Sequence, residues 1–216
     1  MRISDLRRQP YVAQSIWAML VLALLVALGT LRWSLAFVAA LTLGLSLLPV
    51  LAERRFGIRL PMKFMAGIVV FVFATVFLGE AFDFYNRFWW WDIALHAGSA
   101  VGFGLVGFLF VFMLFEGDRY AAPAWAAAFV SFCLALSLGT LWEIFEFGMD
   151  QLFGLNMQKS GLIDTMWDLI VDTGGASVGG LAGFLFLKGR QLGGLTAVLK
   201  EFTLMNRRWF RKLRCR

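Results

Sequence analysis

The sequence predicts an all-α integral membrane protein: a six-transmembrane-helix bundle with N- and C-termini cytoplasmic, followed by a basic amphipathic helix lying at the membrane interface. Three observations predict it: the composition, the length of the apolar runs, and the sorting of basic residues between alternate loops. Apolar residues make up 60% of the 216 positions and charged residues 16%, against roughly 25% charged in soluble domains. A water-soluble fold is not expected. A span needs about 20 apolar residues to cross the hydrocarbon. Six runs qualify, at residues 12–30, 33–52, 62–80, 89–115, 123–149 and 164–187. Residues 1–187 are expected to form one membrane domain, and residues 188–216 a cytoplasmic tail.

The first span follows Arg2, Arg7 and Arg8, and Ala27-Leu28-Gly29 resembles a signal-peptide cleavage site. Its apolar run, from Tyr11 to Leu28, exceeds the usual h-region, so a retained helix is expected. The third span ends at Glu80 and Asp83, which cap it. Spans four and six are the most glycine-rich. Gly175, Gly179 and Gly183 recur at intervals of four in span six, and Gly98-Ser99-Ala100-Val101-Gly102 in span four offers a matching surface. Small residues let helices approach closely in lipid.

Orientation follows from the 20 lysines and arginines. One set of alternating loops holds Arg2, Arg7, Arg8, Arg54, Arg55, Arg59, Lys63, Arg119 and nine tail residues, 17 in all. The other holds Arg32, Arg87 and Lys159. The positive-inside rule then places both termini in the cytoplasm. The net charge of +6 is an orientation signal and does not indicate nucleic-acid binding, so the expected partners are membrane lipids, with the basic tail against the anionic cytoplasmic leaflet. In that tail Leu195, Leu199, Phe202, Met205, Trp209 and Leu213 recur at helical spacing among basic residues, the pattern of an interfacial helix. Trp33, Trp89, Trp90, Trp91, Trp142 and Trp167 fall at the opposite interface as an aromatic belt. Cys133 and Cys215 share no motif and suggest neither a disulfide nor a metal pair.

The acids carry the functional signal. Asp92 and His96 lie one turn apart in span four; Glu143, Glu146 and Asp150 follow one another at three and four residues in span five; Asp164, Asp168 and Asp172 form a ladder in span six. Residues so spaced share a helix face. Because span five exits where spans four and six enter, these faces have matching depth and predict one outward-opening pocket. A carboxylate at mid-membrane costs about 2.5–3.5 kcal/mol even on lenient scales, so the cluster requires compensation. A divalent metal ion held by His96, Glu143, Glu146, Asp168 and Asp172 is the most efficient form, since carboxylate oxygens plus one imidazole suit Mg, Mn, Zn or Fe. Asp92 would orient His96 or act as a catalytic base. Asp150 and Asp164 would form the rim, where interfacial or helix-capping roles are the plainer reading. Three functions follow: a metal-dependent enzyme acting on a lipid or lipid-linked head group, a proton- or cation-coupled transporter, and an accessory membrane protein with a structural cation.

Trp91-Asp92-Ile93-Ala94-Leu95-His96 with Gly98, then Leu141-Trp142-Glu143-Ile144-Phe145-Glu146-Phe147, then Asp164-Thr165-Met166-Trp167-Asp168-Leu169-Ile170-Val171-Asp172 with Gly174 and Gly175 make residues 60–187 resemble the YjdF-like family of bacterial inner-membrane proteins, distant relatives of the VanZ-like group. The resemblance implies a multi-pass protein of the bacterial inner membrane and, through the VanZ-like link to glycopeptide resistance, envelope chemistry by analogy. The aspartate ladder is also similar to the end of the CDP-alcohol phosphotransferase motif, but that motif's Asp-Gly and Ala-Arg elements are absent.

Overall fold

A computed structural model describes residues 5, 6, 8–190 and 193–214. Arg2, Arg7, Cys215 and Arg216, which entered the sequence reading, lie outside the described residues. Six helices are long and apolar enough to cross a membrane: α1 (Tyr11–Gly29), α2 (Trp33–Phe56), α3 (Met62–Ala81), α4 (Trp91–Leu114), α5 (Ala124–Phe153) and α6 (Leu162–Leu187). Among the described residues there is no strand. The chain divides into two compact units, Met1–Trp91 and Asp92–Arg216, each taken by itself below.

Local chemistry sets the helix boundaries. Pro10, Pro61 and Pro123 immediately precede α1, α3 and α5, where a missing N–H costs nothing and the fixed φ suits a helix start. Gly57 and Gly154 end α2 and α5 in the left-handed conformation, open to glycine without a Cβ penalty. The last nine residues of α3, Phe73–Ala81, wind as a π-helix.

In the first unit Ala13, Ile16, Trp17 and Leu20 of α1 pack with Ala39 and Val50 of α2 and with Met65, Val69 and Phe77 of α3. The Trp17 indole donates to Ser46 Oγ at 3.1 Å inside this core, satisfying a donor that lipid could not. Glu53 accepts from the Leu60 amide at 2.6 Å and so ties down the connection to α3. Asp83 accepts from the Asn86 side chain at 2.6 Å beside a single helical turn, Phe84–Arg87.

The second unit is assembled around small residues. A Cβ on Gly179 would lie 2.7 Å from the Gly104 Cα and 2.9 Å from the Val101 carbonyl, and one on Gly175 2.7 Å from the Ala97 carbonyl. Gly183 accepts the Phe108 ring, and Gly180 lies against the Ala128 carbonyl of α5. Ser131 of α5 donates to the Gly104 carbonyl at 2.5 Å. The glycine stripe of α6 therefore packs as its spacing predicts. Its partner surface on α4 is Ala97, Ala100, Val101, Gly104 and Phe108, whereas Gly98 and Gly102 meet nothing within 4 Å. Those two glycines sit on the neighbouring face, one position out of register.

The C-terminal segment also departs from expectation. Its helix, α7, covers only Gly194–Met205. Asn206 is buried, and its side-chain amide donates to the Phe202 carbonyl at 2.8 Å, satisfying one of the helix's last acceptors. The chain then turns back, and Phe210 stacks on Phe112 of α4 with ring centroids 5.5 Å apart. Phe210, which lies off the predicted apolar stripe, is fully buried, while Trp209 on that stripe is exposed. Closing the segment onto the end of the bundle buries the Phe210 ring against Phe112.

Substitution tests the close packing. Gly179→Val is expected to destabilise the protein in detergent by about 1–3 kcal/mol through overpacking against backbone. Gly174→Ala, on the open face of the same helix, is expected to be neutral or stabilising by up to about 1 kcal/mol. Equal thermal unfolding midpoints for the two variants would contradict this packing.

Candidate functional site

Helix geometry carries the site. Asp92 is the second residue of α4 and His96 lies one turn further in. Asp168 and Asp172 are successive turns of α6, six and ten residues from its start, and Glu143 lies ten residues before the end of α5. At 1.5 Å per residue, Glu143 and Asp172 are about 15 Å from their helix termini. The close approach of α4 and α6 at the glycines brings these side chains together.

His96 is the hub. Its Nδ1 lies 3.3 Å from Asp172 Oδ1, within hydrogen-bond distance. Its Nε2 faces three more carboxylates: Asp92 Oδ1 and Glu143 Oε1 at 3.9 Å and Asp168 Oδ2 at 4.0 Å. Those separations are too long for hydrogen bonds. The ring thus gives Nδ1 to Asp172 and Nε2 to the other three acids. His96, Glu143, Asp168 and Asp172 are all buried, and Asp92, with 27% of its side chain exposed, closes the open side.

The acids are under-satisfied. Both Glu143 oxygens and Asp172 Oδ2 are shielded from solvent and lack a hydrogen-bond partner of good geometry. An ionised buried carboxylate without a compensating donor or cation is strongly destabilising. Asp92, His96 and Asp168 each present one ligand atom, all within 4.8 Å of one another, an arrangement able to hold a metal ion.

The remaining sequence candidates divide. Glu146 accepts from the Trp142 indole at 2.8 Å, one turn back on α5, while still lying within electrostatic reach of Glu143, Asp92 and His96. Asp150 accepts from the Met157 and Gln158 amides at 2.7 and 2.9 Å, and Asp164 from the Lys159 amide at 3.1 Å. These two acids organise the connection between α5 and α6. Asp172 occupies the Nδ1 side of the ring at 3.3 Å, and Asp92 sits with the other acids on the Nε2 side at 3.9 Å.

Gly139 was missing from the sequence reading. It lies one turn before Glu143 on α5, and a Cβ there would collide with the Asp172 carboxylate. The signal was present, since a glycine one turn from an acid on a packed face leaves room for a side chain from the neighbouring helix.

The fold and this cluster define a class: a multi-pass α-helical membrane protein with a buried histidine–carboxylate centre in its second unit. The chain belongs to the family described as "Predicted membrane protein (DUF2238)", whose family model matches residues 13–189 and so spans every residue of the centre. It is also similar to a protein of Thermotoga maritima that bears the name "Uncharacterized protein", at 33% identity over 111 residues, 51% of this chain. The chain covers about half, 55%, of that relative's length. No solved structure matches.

Gly139→Ala is expected to displace the Asp172 carboxylate and lower the thermal midpoint by the equivalent of about 1–3 kcal/mol. Gly148→Ala, with open space at its Cβ, should be neutral or stabilising by up to about 1 kcal/mol. Indistinguishable melting of both variants and the parent would remove Gly139 from the site.

Proposed function

We propose that the protein is a metal-dependent enzyme of the bacterial inner membrane that cleaves or transfers a lipid or lipid-linked head group at the non-cytoplasmic leaflet. One observation carries the reading: His96 is tied through Nδ1 to Asp172 while its Nε2 confronts three carboxylates at 3.9–4.0 Å. Ligand atoms each about 2.1 Å from one ion stand about 3–4 Å apart. A carboxylate on the distal ring nitrogen is the usual support of a metal-binding histidine, fixing the tautomer and raising its basicity.

In this reading Asp92, His96 and Asp168 hold the ion, Glu143 is a fourth ligand or the proton acceptor beside it, and Asp172 positions the imidazole. Three oxygens and one imidazole suit Mg, Mn, Zn or Fe. Such an ion supplies an activated water by lowering its pKa toward neutrality. Partial exposure of Asp92 leaves an approach on the side where a head group arrives. The choice of an envelope lipid rests on the resemblance to YjdF-like proteins and their VanZ-like relatives, and the choice of leaflet on the distribution of basic residues.

Transport fits less well. Beyond the centre, α4 and α6 close backbone to backbone at Gly104 and Gly179, and residues 97–114, 124–142 and 173–187 contain no ionisable group other than Cys133. A proton or cation relay across lipid needs such groups or a hydrated path.

Metal analysis of the purified chain tests the reading. Wild type is expected to carry a transition metal or Mg stoichiometrically, and His96→Ala and Asp168→Asn to lose it. Asp172→Asn should weaken affinity by about 10–100-fold. Release of head groups from lipid vesicles should fall in parallel. Near-zero metal in wild type and all three variants would sink the proposal, whereas bound metal without turnover on any lipid would leave a structural cation.

A further inference from the structure

At the opposite end of the second unit, the turn after α4 and the folded-back C-terminal segment enclose an open cavity of about 640 Å³. Its wall includes Asp118, Arg119, Tyr120, Phe186, Lys200 and Lys212. Three cations thus face it against a single acid. The nearby Glu116 is already engaged: its side chain pairs with Arg211 at 3.0 Å, and its carbonyl accepts the Lys212 amide at 2.9 Å. Asp118 is in turn committed to the Tyr120 amide at 2.9 Å.

Arg119 is the distinctive member. Its guanidinium lies over the Phe186 ring, 5.1 Å from the centroid, and its Nε is shielded from solvent without a hydrogen-bond acceptor. A guanidinium resting over an aromatic ring is restrained by it and can turn its terminal N–H groups to a ligand. A guanidinium and two ammonium groups lining one cavity against a single acid favour an anion with several acceptor oxygens. The cavity also has an apolar floor, with Phe186, Leu204 and Leu213 beside the charges, and it opens where α4 ends at Leu114, at the edge of the apolar span. The arginine and lysine count predicts that this end faces the cytoplasm, where anionic phospholipids are concentrated.

We infer that this cavity, with Arg119 as its anchor, binds the phosphate group of an anionic ligand, either a phospholipid head group or free phosphate. The inference is independent of the metal reading, since it uses none of the same residues. Binding there would also brace the C-terminal segment, because Lys200 and Lys212 both belong to it.

Native mass spectrometry of the full chain with equal phosphatidylglycerol and phosphatidylcholine tests the site. The charge-assisted contacts predict retention of the anionic lipid at least about tenfold over the neutral one. Arg119→Gln should cut that preference to within about twofold, Arg119→Lys should retain part of it, and Asp118→Asn should not reduce it. Should Arg119→Gln fail to fold, the exposed pair Lys200→Gln and Lys212→Gln serves instead and should weaken the preference in the same direction. A parallel arm adds inorganic phosphate, against chloride at equal ionic strength, and reads the thermal midpoint. A shift lost in the same variants identifies free phosphate as a ligand; a lipid preference without a shift identifies the head group. Equal retention of both lipids with no phosphate shift, or a preference untouched by these variants, overturns the inference.

Discussion

The backbone approach of α4 and α6 at Gly104 and Gly179 is the constraint on which the second unit depends. In lipid the helices gain little from burying apolar side chains, and association rests on van der Waals fit and interhelical hydrogen bonds. Removing the side chains at those two positions lets the backbones touch, and Ser131 then reaches the Gly104 carbonyl from α5. Two turns along the same seam, the approach sets His96 of α4 against Asp168 and Asp172 of α6. Any larger residue at the seam would separate the helices and with them the ring and its acids.

That proximity creates an electrostatic problem rather than solving one. Four carboxylates around one imidazole leave a surplus of negative charge whichever form the ring takes. The surplus sits among apolar helices, where like charges are poorly screened. Hydrogen bonding answers only part of it, through the His96–Asp172 contact. Protons or a cation must answer the rest, and a cation satisfies several oxygens at once whereas each proton satisfies one. This asymmetry is the physical support for the metal proposed above.

Much of this was legible in the sequence, for reasons that differ by element. The six spans were readable because lipid imposes a length and composition that no other constraint overrides, and the observed helices depart from the expected bounds by only a few residues. His96, Glu143, Asp168 and Asp172 converge because helical spacing and alternating direction suffice to fix face and depth. Glu146 shows what spacing leaves open. Three residues from Glu143 it lies about 60° around the helix, and Trp142 offers it a donor one turn away. Register between helices was also illegible: nothing in the order of residues distinguishes a seam through Gly104 from one through Gly98 and Gly102. Phe210 was missed because the fold-back that buries it is a tertiary event, set by Phe112 nearly a hundred residues earlier.

Residue type alone would have spread the site over eight ionisable groups. What narrows it is which acids have donors. Asp150 and Asp164 lie at the helix ends and find backbone amides of the connecting loop, the role helix-end carboxylates commonly play. Glu146 finds an indole, and Asp172 an imidazole through one oxygen. Glu143 has beside it only the Thr165 hydroxyl, short of good hydrogen-bond geometry, and Asp92 and Asp168 stand with it around a single ring nitrogen, none close enough to bond it. The bundle satisfies its peripheral acids with local donors and gathers its innermost acids around one imidazole. The centre is therefore located by the oxygens that local donors leave around the ring rather than by its count of acids.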